Sequence, residues 1–264
     1  MIAILGANGR TGRAAAAALR AAGREPRLVT RSSADLGDED ALSAALDGVK
    51  SLYAILPDDL RNDAFHDTRR RTAATVARAA HRARVEHVVL CSALTAVDRV
   101  GFGRDLAFFE SALVETGAVV TTLRAAYFQE NVLATLPLAK RDGIHPWFFP
   151  VSARVPMVAS ADVGEAAARA LIEGPSGRRN ETVAVLGPEY GGGDVAAELA
   201  RVALRDVGVV VVPSAAHEST FREWMSVEAA RAMADTLAWL AGPRSSAGTD
   251  RIVRGRRALA EVLR

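Results

Sequence analysis

The sequence predicts an α/β fold with a doubly wound parallel sheet of the Rossmann type. Short apolar stretches alternate with longer Ala- and Arg-rich stretches along most of the 264 residues. The first apolar stretch, 2–5, is followed by three glycines at G-x-x-G-x-x-G spacing and by a predicted helix over 10–22. Half of the residues are hydrophobic, so the chain can build one sizeable core.

The alternation assigns the elements in chain order. Apolar runs are typical of strands buried on both faces, and they fall at 2–5, 26–30, 51–56, 87–91, 119–123, 155–158, 182–186 and 207–212. The stretches after them predict helices over 10–22, 39–46, 68–83, 105–115, 161–172, 194–205 and 219–240.

Three segments of the second half are predicted to be irregular. The stretch 140–156 is rich in Gly, Pro and aromatic residues, which is typical of a loop over a pocket and equally of hydrophobic packing under a long loop. The glycines at 191–193 predict a flexible hinge, and the Gly/Ser-rich stretch 242–249 predicts a mobile tail.

Charge and cysteine content narrow the class of protein. The net charge is only +2 and the arginines are balanced by 31 acids, which argues against a nucleic-acid-binding surface. The one tight basic run, 69–71, is predicted to lie mostly on a solvated helix face. Cys91 is the only cysteine and is predicted to be buried and unreactive. No run reaches membrane-spanning length and no targeting segment is evident, so we expect a cytoplasmic protein, as a monomer or homodimer.

The glycine-rich stretch has the local context that a pyrophosphate site requires. Gly6 permits the tight turn, Gly9 lets the backbone approach phosphate oxygens, and Gly12 lets the helix pack on the strand. The N–H groups at the start of the helix face the anion. The alternative is an ordinary Gly-rich turn. The residues predicted to bind the cofactor here are Gly6, Asn8, Gly9, Arg10, Thr11 and Gly12.

Four segments together resemble the NmrA-like branch of the atypical short-chain dehydrogenases/reductases: 6–12, 91–93, 121–131 and 155–164. The resemblance implies an oxidoreductase with NADP(H) across the carboxyl ends of the strands and a small, quinone or aromatic, substrate. It also implies a dinucleotide-binding core over 1–124 and a smaller α/β part over 125–264 that covers the substrate and returns some elements to the core.

The end of the second predicted strand indicates which cofactor is bound. An acid normally bonds the ribose hydroxyls of NAD here, but the sequence has Arg31 and Ser32, which suit a 2′-phosphate. A surface arginine is the alternative. Asp35 and Leu36 resemble the family segment that touches adenine, yet they follow Arg31 by only four or five residues. A parallel strand needs a longer crossover, so we predict a sheet without its usual third strand and a reduced adenine pocket.

The catalytic residues are less evident. The superfamily's Tyr-x-x-x-Lys relay is absent, and Leu106 stands where this branch often keeps a lysine. Resemblance places Ser92 and Tyr127 on the nicotinamide and substrate side, with Ser92 also touching the cofactor. His145, in the aromatic segment, is a third candidate. As alternatives, Ser92 merely ends a strand and Tyr127 is core or pocket wall.

Three functions stay open on these residues. The first is an NADP(H)-dependent oxidoreductase that acts on a small molecule. The second is a non-catalytic NADP(H)-sensing regulator, which needs no proton relay. The third is a non-redox tailoring enzyme, such as a cyclase, isomerase or dehydratase, in the same pocket. The five histidines have no metal-ligand spacing, so we expect no metal site.

Overall fold

A computed structural model of the chain describes residues 1–175, 179–242 and 248–264. Its strands are, in order, Ile2–Leu5 (β1), Arg27–Val29 (β2), Ser51–Ile55 (β3), His87–Ala93 (β4), Val119–Ala125 (β5), Tyr127–Phe128 (β6), Ile144–Trp147 (β7), Val155–Val158 (β8), Glu181–Leu186 (β9), Glu189–Tyr190 (β10), Gly208–Val211 (β11) and Arg251–Arg254 (β12).

The α-helices are Arg10–Ala21 (α1), Glu39–Ala45 (α2), Phe65–Arg82 (α3), Gly103–Val114 (α4), Leu136–Asp142 (α5), Ser160–Glu173 (α6), Gly192–Ala203 (α7), Ser214–Phe221 (α8), Val227–Ala241 (α9) and Leu259–Val262 (α10). Two 3-10 helices, Leu94–Ala96 and Gln129–Thr135, follow β4 and β6.

The central sheet has seven parallel strands in the order β12-β9-β5-β4-β3-β1-β2. This confirms the predicted Rossmann-type fold. Strand β2, only three residues long, is the edge of this sheet. Turns over 31–37 lead from it directly to α2. The usual third strand is therefore absent from the described part of the chain, in agreement with the short spacing after Arg31.

Helices cover both faces of this sheet because each buries an apolar stripe. Helices α1 and α6 pack together on one face, with the cluster that contains Ile4 and Leu19. Their approach requires Gly164, because a Cβ there would lie 2.4 Å from the Cβ of Ala14. Helices α2, α3 and α4 cover the other face, where Leu90 and Phe109 belong to a second cluster.

A third apolar cluster lies in the second half of the chain. It includes Trp147 and Phe149 together with residues of α7 and α9. Two small sheets frame it, one of β10, β8 and β6 and one of β11 and β7. Strands β9 and β12 of the same half return to the central sheet. The cluster thus packs beyond the carboxyl end of β5.

Several elements of this half differ from the predictions. The helix predicted over 219–240 is α8 and α9, separated at 222–226 because Ser226 caps α9 by accepting from the Ala229 N–H. The segment 140–156 contains the end of α5 and β7, which pairs with β11. The predicted hinge at 191–193 instead begins α7. Of the predicted tail 242–249, residues 243–247 lie outside the described residues.

Two further predictions concern charged and reactive residues. Cys91 is buried, as predicted, and burial raises the pKa of its thiol. The basic run 69–71 is only partly on the solvated face, because Arg69 is 3% exposed while Arg70 and Arg71 are exposed. Across 1–175, 179–242 and 248–264, no helix is long and apolar enough to span a membrane. Over the same residues, no group of three or more His, Cys, Asp or Glu side chains could hold a metal ion.

Candidate cofactor and substrate site

The glycine loop is a tight turn between β1 and α1 that only glycine can form. Gly6 has φ +69°, and a Cβ there would lie 2.6 Å from Cγ2 of Ile55. A Cβ on Gly12 would lie 2.4 Å from the carbonyl oxygen of Gly6. The Gly6 N–H donates to the Val29 carbonyl at 3.1 Å, and the Gly9 N–H donates to the Gly6 carbonyl at 2.8 Å. Close packing therefore fixes the loop.

The start of α1 presents free donors to this loop. Gly9 precedes the helix without a side-chain cap, and the first turn carries no acid. The first N–H groups of a helix have no partner within it, so those of Arg10, Thr11 and Gly12 remain available. Asn8 and Arg10 are exposed beside them, whereas Thr11 is buried. The site is thus suited to an anion.

The turn after β2 holds the residues predicted to meet the adenosine end. Arg31, Ser32 and Asp35 are exposed, and Leu36 is half-buried. The turn is bonded within itself, because the hydroxyls of Thr30 and Ser32 lie 2.8 Å apart and the Asp35 carboxylate accepts from the Gly37 N–H at 2.7 Å. No ion pair to Arg31 occurs within the part of the chain that the structure describes. Its guanidinium is free to meet a phosphate.

A first cavity of about 280 Å³ lies at the carboxyl ends of β3, β4 and β5. Most of its wall is apolar, including Leu106, the residue at the predicted lysine position. Helix α9 covers it with Met233, Thr236 and Leu240. Ser92 and Tyr127 both line it. The structure thus brings together these two predicted residues. The sequence predicted a helix over 219–240, but not which of its residues reach this cavity.

A second cavity of about 750 Å³ adjoins the first. The two share Leu60, Tyr127, Asn131 and Met233. Arg10, the first residue of α1 after the glycine loop, lines the second cavity, and so do residues of the aromatic segment. Trp147 and Phe149 are buried in the third apolar cluster and also line this cavity. The segment 140–156 therefore both packs in the core and lines a cavity, but it does so partly from β7 and not from one long loop as predicted.

The Ser92 hydroxyl is engaged by other side chains. It donates to Oε1 of Glu110 at 2.6 Å. Arg124 holds the same carboxylate, with Nε 3.1 Å from Oε1 and Nη2 2.7 Å from Oε2. The charged pair is largely buried, with side chains 12% and 14% exposed. Ser92 therefore ties the end of β4 to α4, and its proton is used in this bond.

Tyr127 is the predicted site residue common to both cavities. Its ring contacts that of Phe149 edge-on, with centroids 6.0 Å apart. Burial raises the pKa of Tyr127 to about 12, although hydrogen bonding to Asn131 opposes this shift. The phenol therefore keeps its proton near neutral pH and can donate a hydrogen bond to a ligand oxygen.

His145 is 3% exposed in the wall of the second cavity. Its Nδ1 lies 3.2 Å from Oγ1 of Thr135, whose hydroxyl donates to the Val132 carbonyl at 2.8 Å. Since that hydroxyl proton is already used, Nδ1–H is the donor of the pair and Nε2 keeps a lone pair. Nε2 is buried with no hydrogen-bond partner among the described residues. Burial lowers the pKa of His145 to about 4, so the ring is neutral at pH 7.

A buried charged cluster beside the first cavity was missed by the sequence prediction. Arg69 lies in the cavity wall with Asp58, with which it forms an ion pair, and it also bonds Asp105. The signal was present in the helical spacing, because Arg69 stands one turn from the buried Phe65 and one turn from the buried Ala73. A basic run therefore need not lie wholly on one exposed face.

The sheet, the glycine loop and the cavities at the carboxyl ends of the strands together define a dinucleotide-binding α/β protein. The chain belongs to the NmrA-like family, whose model matches residues 1–242. That family was the one predicted from segments 6–12, 91–93, 121–131 and 155–164.

Known proteins agree with this assignment. The chain is 31% identical over 148 residues to quinone oxidoreductase 2 of Escherichia coli, covering 55% of this chain and 49% of that protein. It is 27% identical over 190 residues to an NAD(P)H azoreductase of Xenophilus azovorans, covering 70% of this chain and 63% of that one. The match thus spans less than two thirds of either relative.

The fold is also that of solved structures. One of them is the crystal structure of the NADPH-dependent quinone oxidoreductase of E. coli in complex with NADPH. The alignment covers 100% of this chain and 98% of that structure, with a TM-score of 0.77 and a sequence identity of 23%.

Proposed function

We propose that the protein is an NADP(H)-dependent oxidoreductase that reduces a small quinone or other aromatic acceptor. The observation that carries the proposal is the glycine loop, where α1 begins without a side-chain cap and Arg10 lines the second cavity. Family membership supports it, as do the names of the two relatives, a quinone oxidoreductase and an NAD(P)H azoreductase.

The residues present fit the cofactor. A Cβ on Gly12 would fill the turn. Because Gly9 provides no side-chain cap, the first N–H groups of α1 are available to bind an anion. Gly6, Gly9 and Gly12, with the N–H groups of Arg10 and Thr11, would hold the pyrophosphate. Arg31 and Ser32 would hold the 2′-phosphate, because a guanidinium offers charge-assisted hydrogen bonds to phosphate and a hydroxyl adds a neutral one. The cofactor, when bound, supplies a hydride.

The chain's own groups then orient the acceptor. The protonated Tyr127 phenol donates to a substrate oxygen at the junction of the cavities. His145 lines the second cavity as a neutral ring, and its Nε2 has no hydrogen-bond partner among the described residues. We assign no proton transfer to Ser92, because its hydroxyl donates to Glu110. With Leu106 in the wall, the proton that completes reduction comes from water.

Calorimetric titration with NADPH and with NADH tests the cofactor, followed by turnover with a panel of benzoquinones and naphthoquinones. We expect NADPH to bind more tightly than NADH and to be oxidised by at least one quinone. Binding without oxidation across the panel would favour the regulator. If neither nucleotide binds, the proposal is wrong and the non-redox tailoring enzyme becomes the better hypothesis.

A further inference from the structure

Arg69 carries a buried positive charge into the wall of the first cavity. The side chain is 3% exposed. Its Nε lies 3.2 Å from Oδ2 of Asp105, and its Nη1 meets the Asp58 carboxylate and lies 3.4 Å from the Pro57 carbonyl. These contacts use Nε and Nη1, so Nη2 is left without a hydrogen-bond partner among the described residues, in a side chain that lines the cavity.

The guanidinium is held in place by aromatic rings as well. Its central carbon lies 5.2 Å from the ring centroid of Phe65 and 5.8 Å from that of Phe102. Burial lowers the pKa of Arg69 to about 10, while the charge of Asp105 opposes the shift. The group therefore stays charged near neutral pH. A rigid cation is thus fixed at the edge of an otherwise largely apolar space.

The two carboxylates on Arg69 differ in how firmly they are held. Asp105 is fully buried and is also bonded to Nε of Arg70 at 3.2 Å and to Nδ1 of His66 at 2.7 Å. Asp58 lies in the loop after β3, and its side chain is 49% exposed. Asp58 can therefore turn toward water at small cost, because its charge is already half solvated. Asp105 cannot, because it would leave two arginines without their buried partner.

The remaining wall favours a flat aromatic ligand. Among the residues that the structure describes, Arg69 and Asp58 are the only charged ones in this wall, and the larger apolar side chains include Phe102, Leu106 and Phe128. An aromatic ring in such a space gains from burial. An oxyanion on that ring would meet Arg69 in place of Asp58, since guanidinium pairs well with carboxylate and phenolate oxygens.

We propose that the first cavity selects a flat aromatic ligand bearing an oxyanion, which replaces Asp58 on Arg69. A quinone that takes up a hydride is the hydroquinone monoanion, and a proton from water completes the hydroquinone. The cavity would therefore stabilise that monoanion. This last clause rests on the proposed function, whereas the preference for an aromatic anion does not.

The preference is tested by calorimetric titration of the full chain with 2-naphthoate and its neutral counterpart 2-naphthamide. We expect the carboxylate to bind about ten-fold more tightly, the size of one charge-assisted hydrogen bond. Arg69→Met removes this difference. Arg71→Met is the control, because Arg71 is exposed, lies two residues further along the same helix and carries the same charge. This variant should keep the difference in affinity between the two ligands. Equal affinities in the unmodified protein would overturn the proposal.

Asp58→Asn should change the affinity for 2-naphthoate in the opposite direction to Arg69→Met, and it leaves the buried Asp105 in place. If Asp58 competes with the ligand, this change tightens 2-naphthoate binding several-fold and leaves 2-naphthamide unchanged. A purely structural ion pair predicts weaker binding of both ligands, or no change, and either result contradicts the proposal. This variant keeps the test decisive if Arg69→Met does not fold.

Repeating the titrations with and without NADP⁺ separates this proposal from the function. An anion preference without nucleotide binding would support the cavity assignment and defeat the oxidoreductase. Nucleotide binding and quinone turnover without an anion preference would leave the oxidoreductase and overturn the role of Arg69.

Discussion

The two ends of the proposed cofactor and substrate site, the turn at Arg31 and the cavities at Tyr127, hold their polar groups in different surroundings. Arg31 and Ser32 are exposed on a turn beside the shortest strand of the sheet. Tyr127 and His145 lie in cavity walls. Burial raises the pKa of Tyr127 and lowers that of His145, and both shifts favour the neutral form of the side chain. We therefore expect the first end to act through screened charge and the second through neutral hydrogen bonds in a poorly solvated space.

The glycine loop between the two ends gives the largest expected effect. Gly12→Val places a side chain where a Cβ alone would approach the Gly6 carbonyl oxygen to 2.4 Å. The loop must open, so we expect both NADPH and NADH binding to be lost. Calorimetry measures this, and circular dichroism checks the fold. Gly23→Ala is the matched control, because a Cβ there meets nothing within 4 Å, although its φ of +72° costs some stability. Normal binding by Gly12→Val would place the cofactor elsewhere.

Arg31→Ala isolates the exposed end. A charged hydrogen-bond partner contributes about 1.5–3 kcal/mol, so we expect NADPH affinity to fall by about ten-fold to a hundred-fold. NADH affinity should stay the same, because it lacks the 2′-phosphate. Arg24→Ala makes the same charge change on an exposed arginine at the far end of α1 and should alter neither. Equal losses for both nucleotides would remove Arg31 from 2′-phosphate recognition.

The local structure at the Arg31 end could be predicted from sequence almost completely, and that of the other end only in part. Glycine spacing and the closeness of Arg31 to Asp35 are local, so they indicate the loop and the edge strand directly. Met233 and Leu240 reach the first cavity from more than 100 residues beyond Leu106, and no local pattern predicts that approach.

The second half of the chain was also harder because its patterns are weaker. Strand β12 reads Arg-Ile-Val-Arg with largely exposed residues, so it has no buried apolar run to reveal it. The break between α8 and α9 depends on one cap at Ser226. His145 was selected as a candidate from its place in the aromatic segment, but the orientation of its ring nitrogens follows only from Thr135, which the fold brings near it.

Tyr127→Phe tests the buried end. The change removes one neutral hydrogen bond in a poorly solvated site, so we expect kcat/KM for a quinone to fall by about ten-fold. NADPH affinity should change little. Tyr190→Phe is the control, because its hydroxyl bonds the Leu259 N–H away from both cavities. An equal loss in the two variants would indicate a stability effect and contradict a ligand contact by Tyr127.

Salt should weaken binding at the Arg31 end more than at the Tyr127 end, but by less than the substitutions above. Raising the salt concentration from about 50 to about 500 mM shortens the Debye length severalfold, and an exposed charge pair weakens accordingly. We expect NADPH binding to fall several-fold, NADH binding to fall less, and Arg31→Ala to make the two nucleotides alike. The KM for a neutral quinone should hardly change. A salt effect on NADPH that persists in Arg31→Ala would indicate another partner for the 2′-phosphate.

The smallest expected effect is that of pH on turnover at saturating NADPH. The pKa of His145 is lowered to about 4 and that of Tyr127 is raised to about 12, so neither group titrates between about pH 6 and pH 9. The rate for a neutral quinone should therefore show no inflection from either residue. An inflection near the ordinary histidine pKa that disappears in His145→Gln would mean that the ring is solvated during turnover.

The same shift has a cost in stability at lower pH. The folded chain keeps His145 neutral while the unfolded chain protonates it near pH 6.5, so the unfolded chain binds more protons between about pH 6.5 and pH 4. This term therefore destabilises the folded protein as pH falls through that window. His87, with its pKa also lowered to about 4 by burial, contributes in the same direction from the amino end of β4. In chemical denaturation, the free energy of unfolding should fall less steeply with decreasing pH for His145→Gln than for the unmodified protein. An unchanged pH dependence would contradict a neutral, buried His145 ring.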